Sequence, residues 1–225
     1  MDILKKSISP AGGAPRRGRP KRVSDDAQRS AIVESARKLF IEMGYGRTTT
    51  DDVAARCRIS KQTLYRLYSG KLALFAAVVD AHRYSMLALP GDYDSMPIER
   101  ALEQIFQIDI DPRDERERFA ILQLVVLESR QHPELEEMLR VFGADKSRAA
   151  LAKWLAHQHG RGFIQIDDAE SAARILMDMM FGAMVLKSSG TEMRNKAAKR
   201  REHIRRCASI FLNGVTVRSG SKTTT

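Results

Sequence analysis

The sequence predicts an all-α fold: a short N-terminal module of three helices followed by a larger helical domain. Three observations carry that expectation. No segment sustains the apolar/polar alternation of a half-buried strand between hairpin turns. Apolar residues recur instead at three- and four-residue spacing in successive segments, many opened by Ser, Thr or Asp and closed by Gly or Pro. No self-similarity at a period of roughly 20 to 50 residues is visible, which excludes a repeat array.

The first helix is expected to follow Ser24 as N-cap, with Asp25 and Asp26 at the positive end of its dipole. Ile32, Ala36, Phe40 and Met43 form its apolar face, and Gly44 supplies the stop. Thr50 is expected to cap a second helix that buries Val53, Ala54 and Cys57 and ends near Arg58. Ser60 caps a third, residues 61–68, which buries Leu64 and leaves Lys61, Gln62, Thr63 and Tyr65 outside. A fourth helix opens at Lys71, with Leu72, Phe75, Val79 and Met86 at helical spacing, and "LPGDYDSMP" terminates it. Further helices are expected at residues 98–107, 114–130, 133–157, 168–187 and 192–215, with Asp167 and Glu170 as a capping box. The boundaries are a basic arm at 1–23, a helix-turn-helix domain at 24–70, a regulatory and dimerisation domain at 71–217, and a disordered tail at 218–225.

The second and third helices, joined by a tight turn, describe a helix-turn-helix whose second helix can enter the major groove of DNA. Buried Val53, Ile59 and Leu64 would fix the angle between them. Lys61, Gln62 and Thr63, in the first turn of the recognition helix, are placed to read base edges; Thr50, Tyr65 and Lys71 are placed to hold phosphates. A net charge of +10 makes a polyanion the first partner to consider, and double-stranded DNA is the one expected. Much of the excess lies in the arm. There "RRGRPKR" resembles the Gly-Arg-Pro core of an AT-hook, which carries Arg into an A·T-rich minor groove, so Arg17 and Arg19 are candidate DNA contacts, with a solvated, generic electrostatic tail as the alternative.

The pattern "LF.EMGY..TT..DVA...ISKQTLY.LY..K" resembles the DNA-binding domain of the tetracycline-repressor (TetR) family. More loosely, "RF.ILQLVVLESRQHPELEEML" resembles the family's AefR-like branch. The resemblance implies a bacterial, cytoplasmic, homodimeric, all-helical repressor, released from a near-palindromic operator when a small molecule of unknown identity binds its C-terminal domain. Matching positions place Thr50, Lys61, Gln62, Thr63, Tyr65 and Lys71 at or near DNA. Two residues depart from the pattern. Arg58 stands where Gly is usual in the turn, a place where a left-handed backbone costs a non-Gly residue about 1 to 2 kcal/mol. Leu67 stands where His or Tyr is common.

In the C-terminal domain, residues 114–130 are apolar on nearly every face and are expected at its centre. Phe106, Leu122, Val126, Phe142 and Trp154 are the candidate lining of an effector pocket, with simple core as the alternative for each. Ala172, Leu176, Met179, Ala183 and Leu186 form one stripe, and Ile204, Cys207, Ala208, Phe211 and Val215 another. The resemblance implies that these last two long helices meet their twins in a dimer, with intrachain core as the alternative. The basic stretch 194–206 reads as a solvated face, with an interdomain or nucleic-acid contact as the alternative.

Other functions find little support. Cys57 and Cys207 are too few for a disulfide framework, and no cysteine pair has metal-site spacing. His157 and His159 lie two apart, which does not put them on one helical face. No metal, no cofactor and no catalysis are expected, since GxGxxG, P-loop, GxSxG and HExxH motifs are all missing. No apolar run reaches the roughly 18 to 20 residues that span a bilayer. An RNA- or membrane-surface role lacks aromatic residues interleaved with the basic runs.

Overall fold

The computed structural model describes residues 24–185 and 193–215, and every regular element among them is helical. The arm with Arg17 and Arg19, the tail at 218–225, Leu186 and the side chain of Ala183 lie outside the described residues. The order is α1 (Asp25–Met43), α2 (Thr50–Cys57), α3 (Lys61–Leu67), α4 (Lys71–Met86), α5 (Ile98–Ile105), α6 (Pro112–Glu128) and α7 (Glu134–Met138). A π-helical segment (Leu139–Asp145) then leads into α8 (Lys146–Gly160), followed by α9 (Ala169–Val185) and α10 (Met193–Val215).

Side-chain caps set several of the helix starts. The Ser24 hydroxyl accepts from the Ala27 N–H, and Ser60 does the same for Thr63. Gly44 ends α1 at φ 88°, a conformation that favours glycine. Elsewhere the cap shifts by a residue. Thr49, not Thr50, caps α2, because its hydroxyl accepts from the Asp52 N–H while the Asp52 carboxylate reaches back to the Thr49 N–H. Likewise Asp168, not Asp167, receives the Glu170 N–H and opens α9. Helix α6 starts two residues earlier than expected, since Asp111 caps it and Pro112 is preorganised at its first position.

Two apolar cores result. The first joins Ile32, Phe40, Tyr45, Val53, Leu64, Phe75 and Val79 to Ile121, Leu124, Val125 and Leu135. The second joins Leu102, Phe106, Trp154, Leu155, Leu176, Ile204 and Phe211. Helix α6 is therefore not the centre of the C-terminal domain. It lies along α1 and α4, with Val126 64% and Leu127 79% exposed. Within α4, Leu72 turns outward while Leu74, Phe75, Val78 and Val79 fill the core. The expected single helix at 133–157 is interrupted by the π segment, where Gly143 lets the Val79 side chain approach closely.

Buried arginines tie the cores together. Arg118 on α6 is 1% exposed and donates to the Ser85 and Met86 carbonyls, which closes the C-terminal end of α4. Burial, with the Arg200 guanidinium nearby, pushes it down to about 10, so it stays charged at neutral pH. Arg200 on α10 is 7% exposed, lies 3.1 Å from the Glu115 carboxylate, and donates to the carbonyls of Phe106, Gln107 and Ile108. Arg201 and Arg205 reach Asp109 and Glu103. Of the described basic residues in this stretch, Lys199, Arg201, Arg205 and Arg206 are exposed as expected, and Arg200 departs from the expectation as a buried intrachain staple.

Candidate nucleic-acid interface

Helix α3 is only seven residues long, and its side chains divide cleanly. Leu64 and Leu67 are buried, while Lys61, Gln62, Tyr65 and Arg66 are exposed and Thr63 is half-buried. Leu67, at the position where the resemblance leads one to look for a polar contact, belongs to the core. Ile59 is half-buried against that core, whereas Val53 and Leu64 are fully enclosed. Cys57, expected inside, is half-buried at its edge.

The turn between α2 and α3 contains Arg58 at φ 54° and ψ 42°, the left-handed conformation that the Gly-like position demands. Its N–H donates to carbonyls at the end of α2, so the strained residue also caps that helix.

Hydroxyls tie the outer surface together. Thr50 Oγ1, in the first turn of α2, lies 3.0 Å from the Tyr65 hydroxyl on α3. Lys61 Nζ is 2.6 Å from the Asp51 carboxylate, whose hydrogen bond holds the ammonium pKa above its ordinary value. Thr63 Oγ1 is 2.9 Å from Ser60 Oγ. Gln62 is exposed and leads the outward face. Arg66 pairs with Asp25 and Arg56 with Glu42, so these two cations brace the module. The structure thus brings Thr50, Lys61, Gln62, Thr63 and Tyr65 onto one surface.

Lys71 is placed differently. Its ammonium donates to the Tyr45 carbonyl at 2.9 Å and the Gly46 carbonyl at 3.3 Å, and lies 4.4 Å from the centre of the Tyr45 ring. Three residues that sequence reasoning passed over share this neighbourhood. Thr48, fully buried, donates to the Gly44 carbonyl; Tyr45 packs on Phe40 and Phe75; and Glu128, from the end of α6, receives the N–H groups of Tyr45 and Gly46. The motif "EMGY" contained the tyrosine, but no local pattern pointed to Glu128.

The candidate effector residues do not form one wall. Phe106 and Trp154 lie in the second core, Phe142 packs on the first, Leu122 is half-buried, and Val126 faces outward. The Trp154 indole N–H is buried and meets no acceptor among the described residues. His157 pairs with Asp94, and His159 receives the Ile166 N–H. No cluster of three or more metal-ligating side chains occurs among the described residues. Among them, too, no helix is long and apolar enough to cross a membrane.

On helices α9 and α10, Ala172, Leu176, Ile204, Cys207, Ala208 and Phe211 bury against each other within the chain, with Met179 and Val215 half-buried. Ile175 and Ile210 remain more than half exposed, beside a groove of about 700 Å³ between the two helices.

Comparison with known proteins agrees with this architecture. Residues 32–78 match the family model described as bacterial regulatory proteins, tetR family. Residues 101–214, about half the chain, match the AefR-like transcriptional repressor, C-terminal domain. The HTH-type transcriptional activator FasR of Mycolicibacterium smegmatis is 38% identical over 73 residues, 32% of either chain. The DNA-binding transcriptional repressor TetR of Mycobacteroides abscessus is 39% identical over 57 residues, 25% of this chain and 30% of that one. The match thus spans about a third or less of these relatives' length. Among solved structures, a putative TetR-family transcriptional regulator from Mesorhizobium loti superimposes with TM-score 0.66 at 22% identity, over 87% of this chain and all of that one. Salmonella enterica GusR gives 0.61 at 20%, over 86% of this chain and all of that one, and both likenesses speak for the fold.

Proposed function

Since the chain belongs to the TetR family of bacterial regulators, a family of non-enzymatic DNA-binding proteins, we propose that it is a ligand-responsive repressor binding a near-palindromic operator as a homodimer. The observation that carries the DNA reading is the first turn of α3, where Lys61 and Gln62 stand outward and Thr63 is half-exposed over a buried Leu64, with the Thr50–Tyr65 pair beside them. Base reading falls to Gln62, Lys61 and Thr63, and phosphate binding to Thr50 and Tyr65. Lys71 joins them only by leaving the Tyr45 and Gly46 carbonyls. Arg17 and Arg19 add affinity from the arm, which steepens the salt dependence by about 0.9 per phosphate neutralised.

The dimer uses α9 and α10. Exposed Ile175 and Ile210 flank their groove, and a two-fold pairing there places two recognition helices in successive major grooves, about 34 to 36 Å apart. The effector is received near Phe106 and Trp154. A buried indole N–H without an acceptor costs about 1 to 3 kcal/mol, which a ligand's oxygen or nitrogen would recover. Repression is favoured over activation because operator occupancy alone suffices for it; relatives of both kinds exist.

The test is selection of duplexes from a random pool, followed by transcription from a promoter carrying the recovered site. A near-palindrome whose binding is weakened by Gln62→Ala and Tyr65→Ala, and whose promoter is silenced by the protein, is the expected result. Salt-labile binding without sequence preference would refute operator recognition, and increased transcription would make the protein an activator.

A further inference from the structure

Interactions from two helices outside the α1–α2 turn converge on its backbone. Glu128, the last residue of α6, accepts from the Tyr45 N–H at 2.8 Å and from the Gly46 N–H at 2.7 Å. Lys71, the first residue of α4, holds the carbonyls of the same two residues. The Tyr45 ring is buried between Phe40, Phe75 and His132. Both the donors and the acceptors of the turn are thus gripped by side chains distant in sequence.

Glu128 stands where its own helix disfavours it. The C-terminal end of a helix carries partial negative charge, so a carboxylate there is repelled by the last carbonyls. Two charge-assisted hydrogen bonds to adjacent backbone N–H groups offset that repulsion. The turn is shaped around the contact. A Cβ at Gly44 would collide with the Glu128 carboxylate, and one at Gly46 would come within 3.0 Å of His132 Nε2. A few residues further on, Thr49 caps α2 and Thr50 meets Tyr65 of α3. A continuous chain of contacts therefore runs from the end of α6 to the outward face of the recognition helix.

We infer that Glu128 is the positioning residue through which the C-terminal domain sets the presentation of α3. Its carboxylate holds the α1–α2 turn, and displacement of the end of α6 reorients α2 and α3 through that grip. The inference rests on the DNA-binding reading above and does not require Glu128 to touch DNA. Coupling between sites is reciprocal, so DNA bound at α3 stiffens the end of α6 in turn. That effect can be read without knowing the effector.

The experiment measures amide hydrogen exchange across residues 121–131 of the full chain, with and without a duplex recovered by selection, for the natural protein, Glu128→Gln and Glu128→Asp. In the natural protein the duplex slows exchange at the end of α6. Glu128→Gln keeps its helical content and binds the duplex, but loses that slowing, and its Tyr45 and Gly46 amides exchange roughly tenfold faster. Glu128→Asp, which keeps the charge, restores part of the response; this variant decides the matter if the glutamine one fails to fold. Full slowing in Glu128→Gln, or no slowing in a natural protein that binds its duplex, overturns the inference alone. A natural protein that selects no duplex overturns the DNA reading and the inference with it.

Discussion

The core around Phe40 and Phe75 draws on α1 to α4 and is completed by Ile121, Leu124, Val125 and Leu135, whereas the core around Phe106 and Leu155 takes nothing from the first four helices. The helix-turn-helix is therefore not a bead on a linker. Part of its interior belongs to the helices beyond it, so a change in how α6 and α7 sit is already a change in the DNA-binding module. The second core is free of that obligation and can rearrange around a ligand with less direct effect on α3.

The largest test of this asymmetry compares Ile121→Ala with Leu155→Ala. Each removes a fully buried side chain and should cost about 2 to 5 kcal/mol in denaturant unfolding. Ile121→Ala should speed amide exchange throughout α1 to α4, and Leu155→Ala should act first on α5 and α8 to α10. Equal effects on all helices would mean that the two cores unfold as one unit. Next comes Arg200→Ala, which strands Glu115 and frees the carbonyls after α5. A loss of about 3 kcal/mol is expected, visible as a lower urea midpoint and early exchange at α10.

Smaller effects sharpen the picture within the first core. Arg58→Gly relieves the left-handed strain at φ 54° and should stabilise the protein by about 1 kcal/mol, with no loss of helix in the circular dichroism spectrum. Last is a pH effect at His82. Burial lowers its pKa from the ordinary 6.5, and the neutral ring donates from Nε2 to the Arg118 carbonyl. The unfolded chain therefore takes up the proton first. This contribution is intact above about pH 6.5 and is lost progressively as the pH falls below it. His82→Gln should flatten that part of the stability profile; an unchanged slope would assign it to other groups.

What could be read from the sequence was local. Ser24 and Ser60 announce their helices because an N-cap contacts groups two or three residues away, and Val53 and Leu64 declare the buried side of the helix-turn-helix by spacing alone. The same locality limits precision. Thr49 and Thr50 are equally good caps on paper, and only the Asp52 carboxylate reaching back decides between them. Arg58 stands out only through the resemblance, as a residue at a turn position where the family has Gly, and its φ of 54° agrees with that. Long-range partners left no such trace. Lys71 looks like a free cation until Tyr45 and Gly46 are folded against it, Glu128 looks like an ordinary helix end, and the apolar "FAILQLVVLE" gives no hint that Val126 faces outward. Nor does apolar content say which of two cores a residue joins: Phe106 and Trp154 lie in the second, and Phe142 packs on the first.

The π-helical segment at 139–145 has a consequence for how the chain tolerates length changes. Leu135, Leu139, Gly143, Ser147, Leu151 and Leu155 recur every fourth residue, and all are buried or packed on a core. In a regular helix each four-residue step would drift by about 40°, and the row would spiral away from the interior. The wide turn absorbs roughly one surplus residue and takes back about 100° of that drift, which keeps the row near the interior. Loss of a single residue inside this segment should thus leave both flanks facing as they do now, whereas the same loss in the middle of α8 would rotate everything after it by about 100°.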